Sequence, residues 1–333
     1  MIYCVLGAGS WGTSLAEILA DNGHEVKIYA RKDKVRDEIN NNHSNNKYFP
    51  FQVKLNKNLL ATSSIEDAVQ DADVIVVSVP SSQYRGVLNE TIKYLNKKVI
   101  FVSTAKGFDP NTNKRLSEVI REIVPAEKLE SVLSLIGPSH AEEVIRKLFT
   151  CVSVIGSDIP NSKKIQRAFS NEYFRVYTNT DEVGAEYASA LKNIMAIASG
   201  ITTGLGYGDN TRAALITRGL AEMTRFGIAE GGKMETYLGL TGLGDLMVTC
   251  NSSFSRNFQA GLAIGKANSA TQFLKTNEKT VEGIKTAGVI HEKAKKMGIE
   301  MPISEAVYSV LYCDELPSNA VKTLISRALK PEF

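Results

Sequence analysis

Lys192 is the single basic residue between Arg175 and Arg212, and it lies in the apolar run Tyr187-Ala188-Ser189-Ala190-Leu191-Lys192-Asn193-Ile194-Met195. At roughly 100° per residue it shares a narrow helical stripe with Ser189, Ala196, Ser199 and Thr203, small groups suited to lining a cavity. Lysine is rarely buried without a partner or a task. Desolvation lowers an ammonium pKa toward the range where protons exchange at neutral pH. The competing reading makes this stripe a solvent face.

Three other segments offer complementary groups. Lys106 follows the apolar run Val99 to Ser103 and precedes Gly107, so it can aim a cation at a phosphate or carbonyl oxygen, or be a surface loop lysine. Asp245 follows the turn-prone Leu240-Thr241-Gly242-Leu243-Gly244, where a carboxylate can accept from a hydroxyl or hold a lysine. Ser255-Arg256-Asn257 reads as a helix start with Ser255 near the cap; its fork-shaped donors and backbone N–H groups suit a phosphate dianion. Taken singly, each of the last two also reads as an ordinary cap.

The elements that must position these groups begin with Gly7-Ala8-Gly9-Ser10-Trp11-Gly12, placed directly between an apolar strand and a helix with Leu15, Ile18 and Leu19 on one face. A lone GxGxxG is a weak signal and its bland form is a plain glycine turn. In this context the glycines allow a tight turn and close backbone approach, and the helix amino terminus offers N–H groups to a pyrophosphate. The second strand ends Tyr29-Ala30-Arg31-Lys32, with no acidic residue to accept from a ribose 2′-hydroxyl. Arg31 and Lys32 therefore favour a 2′-phosphate, and NADPH is preferred over NADH. Asp33 keeps NADH use open, and the alternative makes both cations solvated strand ends.

β-branched runs at Ile2 to Leu6, Val26 to Ala30, Val74 to Val79, Val99 to Ser103, Val132 to Ile136, Val152 to Ile155 and Phe174 to Tyr177 alternate with helical periods. That order predicts an α/β, Rossmann-like, doubly wound and mostly parallel sheet over residues 1–180. Residues 181–333 carry helical periods only, which predicts an all-helical second domain opening with a helix from Glu182 to Thr203. Gly137 and Ser139 supply N–H groups at the start of a helix expected over Ser139 to Lys147, a second anion-receptive terminus. Asn40 to Asn46 reads as an exposed loop.

Composition narrows the function classes. The chain has 333 residues, enough for two cores. Its 39 basic and 36 acidic side chains are interspersed, which argues against a nucleic-acid partner. Cys4, Cys151, Cys250 and Cys313 lie far apart, as do the four histidines, so no metal site or disulfide framework is expected and reduced thiols in the cytoplasm fit. Lys192 interrupts the one apolar segment long enough to suggest a membrane span.

Hydride delivery to a ketone creates an alkoxide, so such a site needs a proton donor or positive charge oriented beforehand. Lys192 meets that need with Lys106 as helper, which requires the Lys192 amine to reach the mouth of the nucleotide crevice. The residues together resemble bacterial-type NAD(P)-dependent glycerol-3-phosphate dehydrogenase along nearly the whole chain. The resemblance rests on Gly7 to Thr13, Ala105-Lys106-Gly107, Gly137 to Glu143, Leu191-Lys192-Asn193, Gly208 to Gly219, Gly242 to Asp245, Ser255 to Asn257 and Val281-Glu282-Gly283. It implies interconversion of dihydroxyacetone phosphate and sn-glycerol 3-phosphate for phospholipid synthesis, with Lys192 accepting the proton in oxidation. It implies substrate contacts from Lys106, Gly137, Ser139, Asp245, Ser255, Arg256 and Asn257, and cofactor contacts from Ser10, Trp11, Arg31, Lys106, Ala141, Arg256 and Glu282. A homodimer is likewise implied. Two stretches depart from the family pattern: Phe258-Gln259 is less basic than usual, and Lys147 to Cys151 replaces a Gly-Xaa-Pro-Thr stretch.

Two other readings compete. A β-hydroxyacid dehydrogenase of the 6-phosphogluconate dehydrogenase-like group also joins such a sheet to helices and a lysine. A non-catalytic pyridine-nucleotide sensor would bind nucleotide without turnover.

Overall fold

The computed structural model describes residues 1–51, 53–277, 279–329 and 331. The chain forms two compact units, Met1–Glu182 and Val183–Phe333.

The first unit is built on one eight-stranded sheet: β1 (Ile2–Leu6), β2 (Glu25–Tyr29), β3 (Leu59–Thr62), β4 (Val74–Val77), β5 (Val99–Ser103), β6 (Leu129–Ile136), β7 (Thr150–Ile155) and β8 (Phe174–Asn179), in the order β3-β2-β1-β4-β5-β6-β7-β8. All pairs are parallel except β6 with β7. The alternation of strand side chains explains the double winding. Tyr3, Val5, Val74 and Val76 enter a core with Leu15, Ile18 and Leu19, whereas Cys4, Leu6, Ile75 and Val77 enter a second core with Leu88, Val119 and Ile120. Strands buried on both faces need apolar residues at consecutive positions. The strand order reverses between β1 and β4, the place where sheets of this kind bind ligands beyond their carboxyl ends.

Two local expectations need correction, and two strands add features the sequence does not mark. β3 is not marked in the sequence, since it is only Leu59–Thr62, has no β-branched residue before Thr62 and leaves Leu60 exposed. The helix expected over Ser139 to Lys147 is only Ala141–Val144, and Lys147 takes a left-handed conformation at φ 60°. That conformation favours glycine over a residue with a side chain. Here Lys147 is held by an ion pair with Asp21 at 2.7 Å, and its ammonium lies over the Tyr173 ring. Asn40 to Asn46 is not an exposed loop: Asn40 to Asn42 end the helix Asp33–Asn42, and Ser44 and Asn45 are buried. Finally, β7 runs antiparallel to β6, a reversal that a mostly parallel reading left unplaced.

The second unit is helical, with no strand among its described residues. Its longest helix, Glu182–Gly204, is buried along nearly its whole length. Among the described residues no helix is long and apolar enough to cross a membrane.

Each unit encloses a glutamate. Glu17 accepts the Asn56 N–H at 2.8 Å, and Glu222 accepts those of Ile303 and Ser304 at 2.6 and 3.2 Å at the start of the helix Pro302–Tyr312. Burial outweighs these donors and pushes both carboxyls up to about 7. An acid with a raised folded-state pKa keeps its proton where the unfolded chain has already released it. Its contribution to stability is therefore full below about pH 4.5 and falls as pH rises toward 7. Glu222→Gln has no such proton to lose, so its Tm relative to the parent is expected to rise between pH 5.5 and pH 8 in thermal scans at constant ionic strength. Parallel Tm profiles would contradict this assignment.

Candidate active site

In the first unit the glycines of the β1 turn have separate physical jobs. Gly7 sits at φ 115°, where a side chain is strained, and a Cβ there would lie 2.6 Å from the Ser78 carbonyl oxygen. A Cβ on Gly12 would overlap the Gly7 carbonyl oxygen, so the helix Ser10–Asp21 approaches the turn only because Gly12 has none. Gly9, the residue preceding that helix, borders open space: nothing lies within 4 Å of a Cβ placed on it. The result is a helix terminus preceded by a glycine that borders open space, which fits a dinucleotide pyrophosphate. Ser10 and Trp11 form the first turn, and Arg31 and Lys32 stand exposed just beyond β2.

Farther along the same sheet, β5 and β6 bring a second group together. Lys106 Nζ donates to the Gly137 carbonyl oxygen at 3.3 Å, and Ser139 Oγ donates to the same oxygen at 3.0 Å. Gly137 is required by packing, since a Cβ would lie 2.8 Å from Val152 Cα on β7. Ala141 is buried, and its carbonyl oxygen accepts from Ser14 Oγ at 3.2 Å, which ties this loop to the glycine-turn helix.

In the second unit Lys192 is inside the protein, not on a solvent face. Its Nζ donates to Asp245 Oδ1 at 2.5 Å and to Thr249 Oγ1 at 2.7 Å, with side-chain exposures of 4% for Lys192 and 1% for Asp245. A buried ammonium is tolerable only with such compensation; removing one member of a comparable pair costs about 3–5 kcal/mol. Thr249 in turn donates to the Asp245 backbone carbonyl at 2.5 Å. Asp245 is presented by a π-helical turn, Leu240–Gly244, in which Gly244 N–H reaches back to the Gly239 carbonyl. The turn closes tightly because Gly242 lies where any Cβ would strike Tyr237 backbone.

The phosphate-suited segment reaches the same helix through glycine-on-glycine packing. Ser255 caps the helix Arg256–Ala267, accepting the Phe258 N–H at 3.2 Å. That helix crosses Glu182–Gly204 with Gly200 and Gly204 facing Gly261 and Gly265, and a Cβ on any of the four would run into backbone of the other helix. Backbones this close carry Asn257 to Asn193, where Asn257 Nδ2 donates to Asn193 Oδ1 at 3.0 Å. Asn257 Oδ1 then accepts the Gly283 N–H at 2.9 Å, bringing the start of the helix Glu282–Met297, and with it Glu282, to this place. Arg256 is exposed beside the cap.

The structure therefore gathers the expected residues into clusters within each unit: the β1 turn, the Lys106–Gly137–Ser139 group, and the Lys192–Asp245 and Asn257–Gly283 groups. Two members went unassigned from sequence. Thr249 follows Asp245 by four residues, one helical turn, and that spacing alone puts both on one face. Asn193, adjacent to Lys192, carries no sign in sequence of its bond to Asn257.

The family model described as NAD-dependent glycerol-3-phosphate dehydrogenase N-terminus matches residues 3–161, and that described as its C-terminus matches residues 181–322. The chain is 48% identical over 330 residues, covering 99% of it and 97% of the relative, to glycerol-3-phosphate dehydrogenase [NAD(P)+] of Lysinibacillus sphaericus. The crystal structure of glycerol-3-phosphate dehydrogenase from Coxiella burnetii superposes with a TM-score of 0.89 at 36% identity, covering 98% of each chain. The 3-hydroxyisobutyrate dehydrogenase of Mycobacterium tuberculosis, at 12% identity and a TM-score of 0.54 over 98% of this chain and 100% of that one, shares the fold alone.

The helix crossing leaves no room for a methyl-sized addition: a Cβ on Gly261 would lie 2.1 Å from the Ile197 carbonyl oxygen. Gly261→Val is expected to cost about 2–3 kcal/mol through overpacking, lowering Tm by roughly 5 °C or more in a melting experiment. An unchanged Tm would mean the helices do not meet at Gly261.

Proposed function

The chain belongs to the NAD-dependent glycerol-3-phosphate dehydrogenase family, and on that footing we propose how its residues interconvert dihydroxyacetone phosphate and sn-glycerol 3-phosphate. It is an NAD(P)-dependent oxidoreductase acting on a small phosphorylated substrate. The observation that carries the chemical reading is the buried Lys192–Asp245 pair at 2.5 Å.

The nicotinamide cofactor, when bound, supplies or takes up the hydride at the substrate C2 carbon. The β1 turn, with Gly7, Gly9, Ser10, Trp11 and Gly12, holds its pyrophosphate, with further contacts from Lys106, Ala141, Arg256 and Glu282. Arg31 and Lys32 hold a 2′-phosphate, so NADPH is preferred and NADH is also used. In the reductive direction Lys192 gives a proton to the C2 oxygen as it becomes an alkoxide, and in oxidation it takes that proton from the C2 hydroxyl. Asp245 and Thr249 fix the amine, and Asp245 balances its charge while it is an ammonium. Ser255, Arg256 and Asn257 hold the phosphate dianion through charge-assisted and backbone donors. Lys106, with Gly137 and Ser139, completes the polar contacts to substrate.

In this reading residues 1–180 serve as the nucleotide-binding domain and 181–333 as the substrate and catalytic domain. The active species is a cytoplasmic homodimer that supplies glycerol 3-phosphate for phospholipid synthesis.

Initial rates with dihydroxyacetone phosphate, using NADPH and NADH in parallel, test the reading. Turnover only with the oxo form of a hydroxyacid would replace it. Lys192→Ala is expected to lower kcat by about 10²–10⁴-fold with cofactor affinity nearly unchanged, and a fully active variant would remove Lys192 from the chemistry. Arg256→Ala is expected chiefly to raise KM for the phosphorylated substrate. Arg31→Ala should narrow the kcat/KM preference for NADPH over NADH, and an unaltered ratio would place the 2′-phosphate elsewhere.

A further inference from the structure

Asn45 follows His43, which ends the helix Asp33–Asn42 in a left-handed conformation at φ 50°. Its side chain is turned inward and is 2% exposed. Asn45 Nδ2 donates to the Ala8 carbonyl oxygen at 3.2 Å and to Thr13 Oγ1 at 2.9 Å, so it grips both the glycine turn after β1 and the first turn of the helix Ser10–Asp21. The grip is rigid, because the Asn45 carbonyl accepts the N–H groups of Tyr48 and Phe49 at 3.0 and 2.9 Å and Phe49 is fully buried. The same segment is fastened again farther along that helix, where Asn56 donates through its N–H to Glu17 and through Nδ2 to Asp21. Asn45 Oδ1 meets no hydrogen-bond partner although it is buried, so the polar chemistry of this side chain is directed at the glycine turn.

The consequence follows from peptide geometry. In a trans peptide the C=O and the next N–H point in opposite directions. Holding the Ala8 carbonyl toward Asn45 therefore aims the Gly9 N–H away from it, at a residue that borders open space. We propose that Asn45 is a positioning residue for the cofactor: it sets the Ala8–Gly9 peptide plane, and with it the Gly9 N–H that faces the pyrophosphate. The proposal rests on the glycine turn being the dinucleotide site. Without the amide, the Ala8 carbonyl keeps no fixed partner on that side and the plane is free to rotate before ligand arrives, so ordering it is charged to binding rather than to folding.

The test is the NADPH dissociation constant of the full chain, read by nucleotide fluorescence titration, beside initial-rate kinetics and Tm. Asn45→Ala is expected to weaken NADPH binding by about tenfold, with kcat at saturating NADPH and KM for dihydroxyacetone phosphate within about twofold of the parent. Asn45→Asp keeps the size but cannot donate to the Ala8 carbonyl, and it should lose at least as much affinity; it serves also if the alanine variant does not fold. Gly9→Val separates this proposal from the reading beneath it, because its backbone is extended and a Cβ there meets nothing within 4 Å. If Gly9→Val binds NADPH as the parent does, the glycine turn is not the cofactor site. If Gly9→Val loses binding while Asn45→Asp stays within twofold of the parent, Asn45 does not position the turn. Losses spread equally over NADPH affinity, kcat and Tm would likewise overturn the proposal, since they mark a structural role alone.

Discussion

A charged amine inside a helical unit is the constraint from which the rest of this architecture follows. Lys192 lies almost wholly out of water, and an unpaired ammonium there would be prohibitively costly. Asp245 compensates it at 2.5 Å, and Thr249 adds a second acceptor. Both partners come from one short helix, Asp245–Asn251, whose first residue must arrive at the right depth. The π-helical turn ahead of it does this, and Gly242 lets that turn close against Tyr237. The long helix bearing Lys192 meets its neighbour by glycine-to-glycine contact, a geometry that tolerates little displacement.

The first unit solves a different problem with backbone instead of side chains. In the proposed reading its pyrophosphate-receptive groups are peptide N–H groups at a helix terminus, which no rotamer aims. Peptide planes are aimed by whatever holds their carbonyls: Asn45 on Ala8, Ser14 on Ala141, and Lys106 with Ser139 on Gly137. The buried Asn45 and Ser14 and the half-buried Lys106 and Ser139 thus act on carbonyl oxygens.

Most of this was legible where one physical signal dominates locally. β1, β4 and β5 are apolar at consecutive positions because both faces are covered, whereas β2 and β8 alternate, with Lys27 and Arg175 between apolar neighbours. Lys192 stood out because a lone cation in an apolar helix demands a partner, and Asp245 stood out because it ends a glycine turn. What escaped depends on distant packing. Asn40 to Asn46 looks like a solvated loop by composition, yet Asn45 is buried because the glycine turn lies over it. The left-handed Lys147 is tolerated through Asp21 and Tyr173, residues separated from it by most of the first unit's chain on one side and by a strand and a helix on the other. Nothing in a local window announces either contact. Thr249 is the instructive intermediate: its spacing from Asp245 was visible, but its use was not.

The central claim is that the Lys192 amine moves a proton and does not merely supply positive charge. The most direct measurement is the single-turnover rate of NADPH oxidation by dihydroxyacetone phosphate in Lys192→Arg, which keeps a cation but does not give up a proton at neutral pH. The account predicts a rate at least about a hundredfold below the parent with NADPH still bound. A rate within a few-fold of the parent would contradict it.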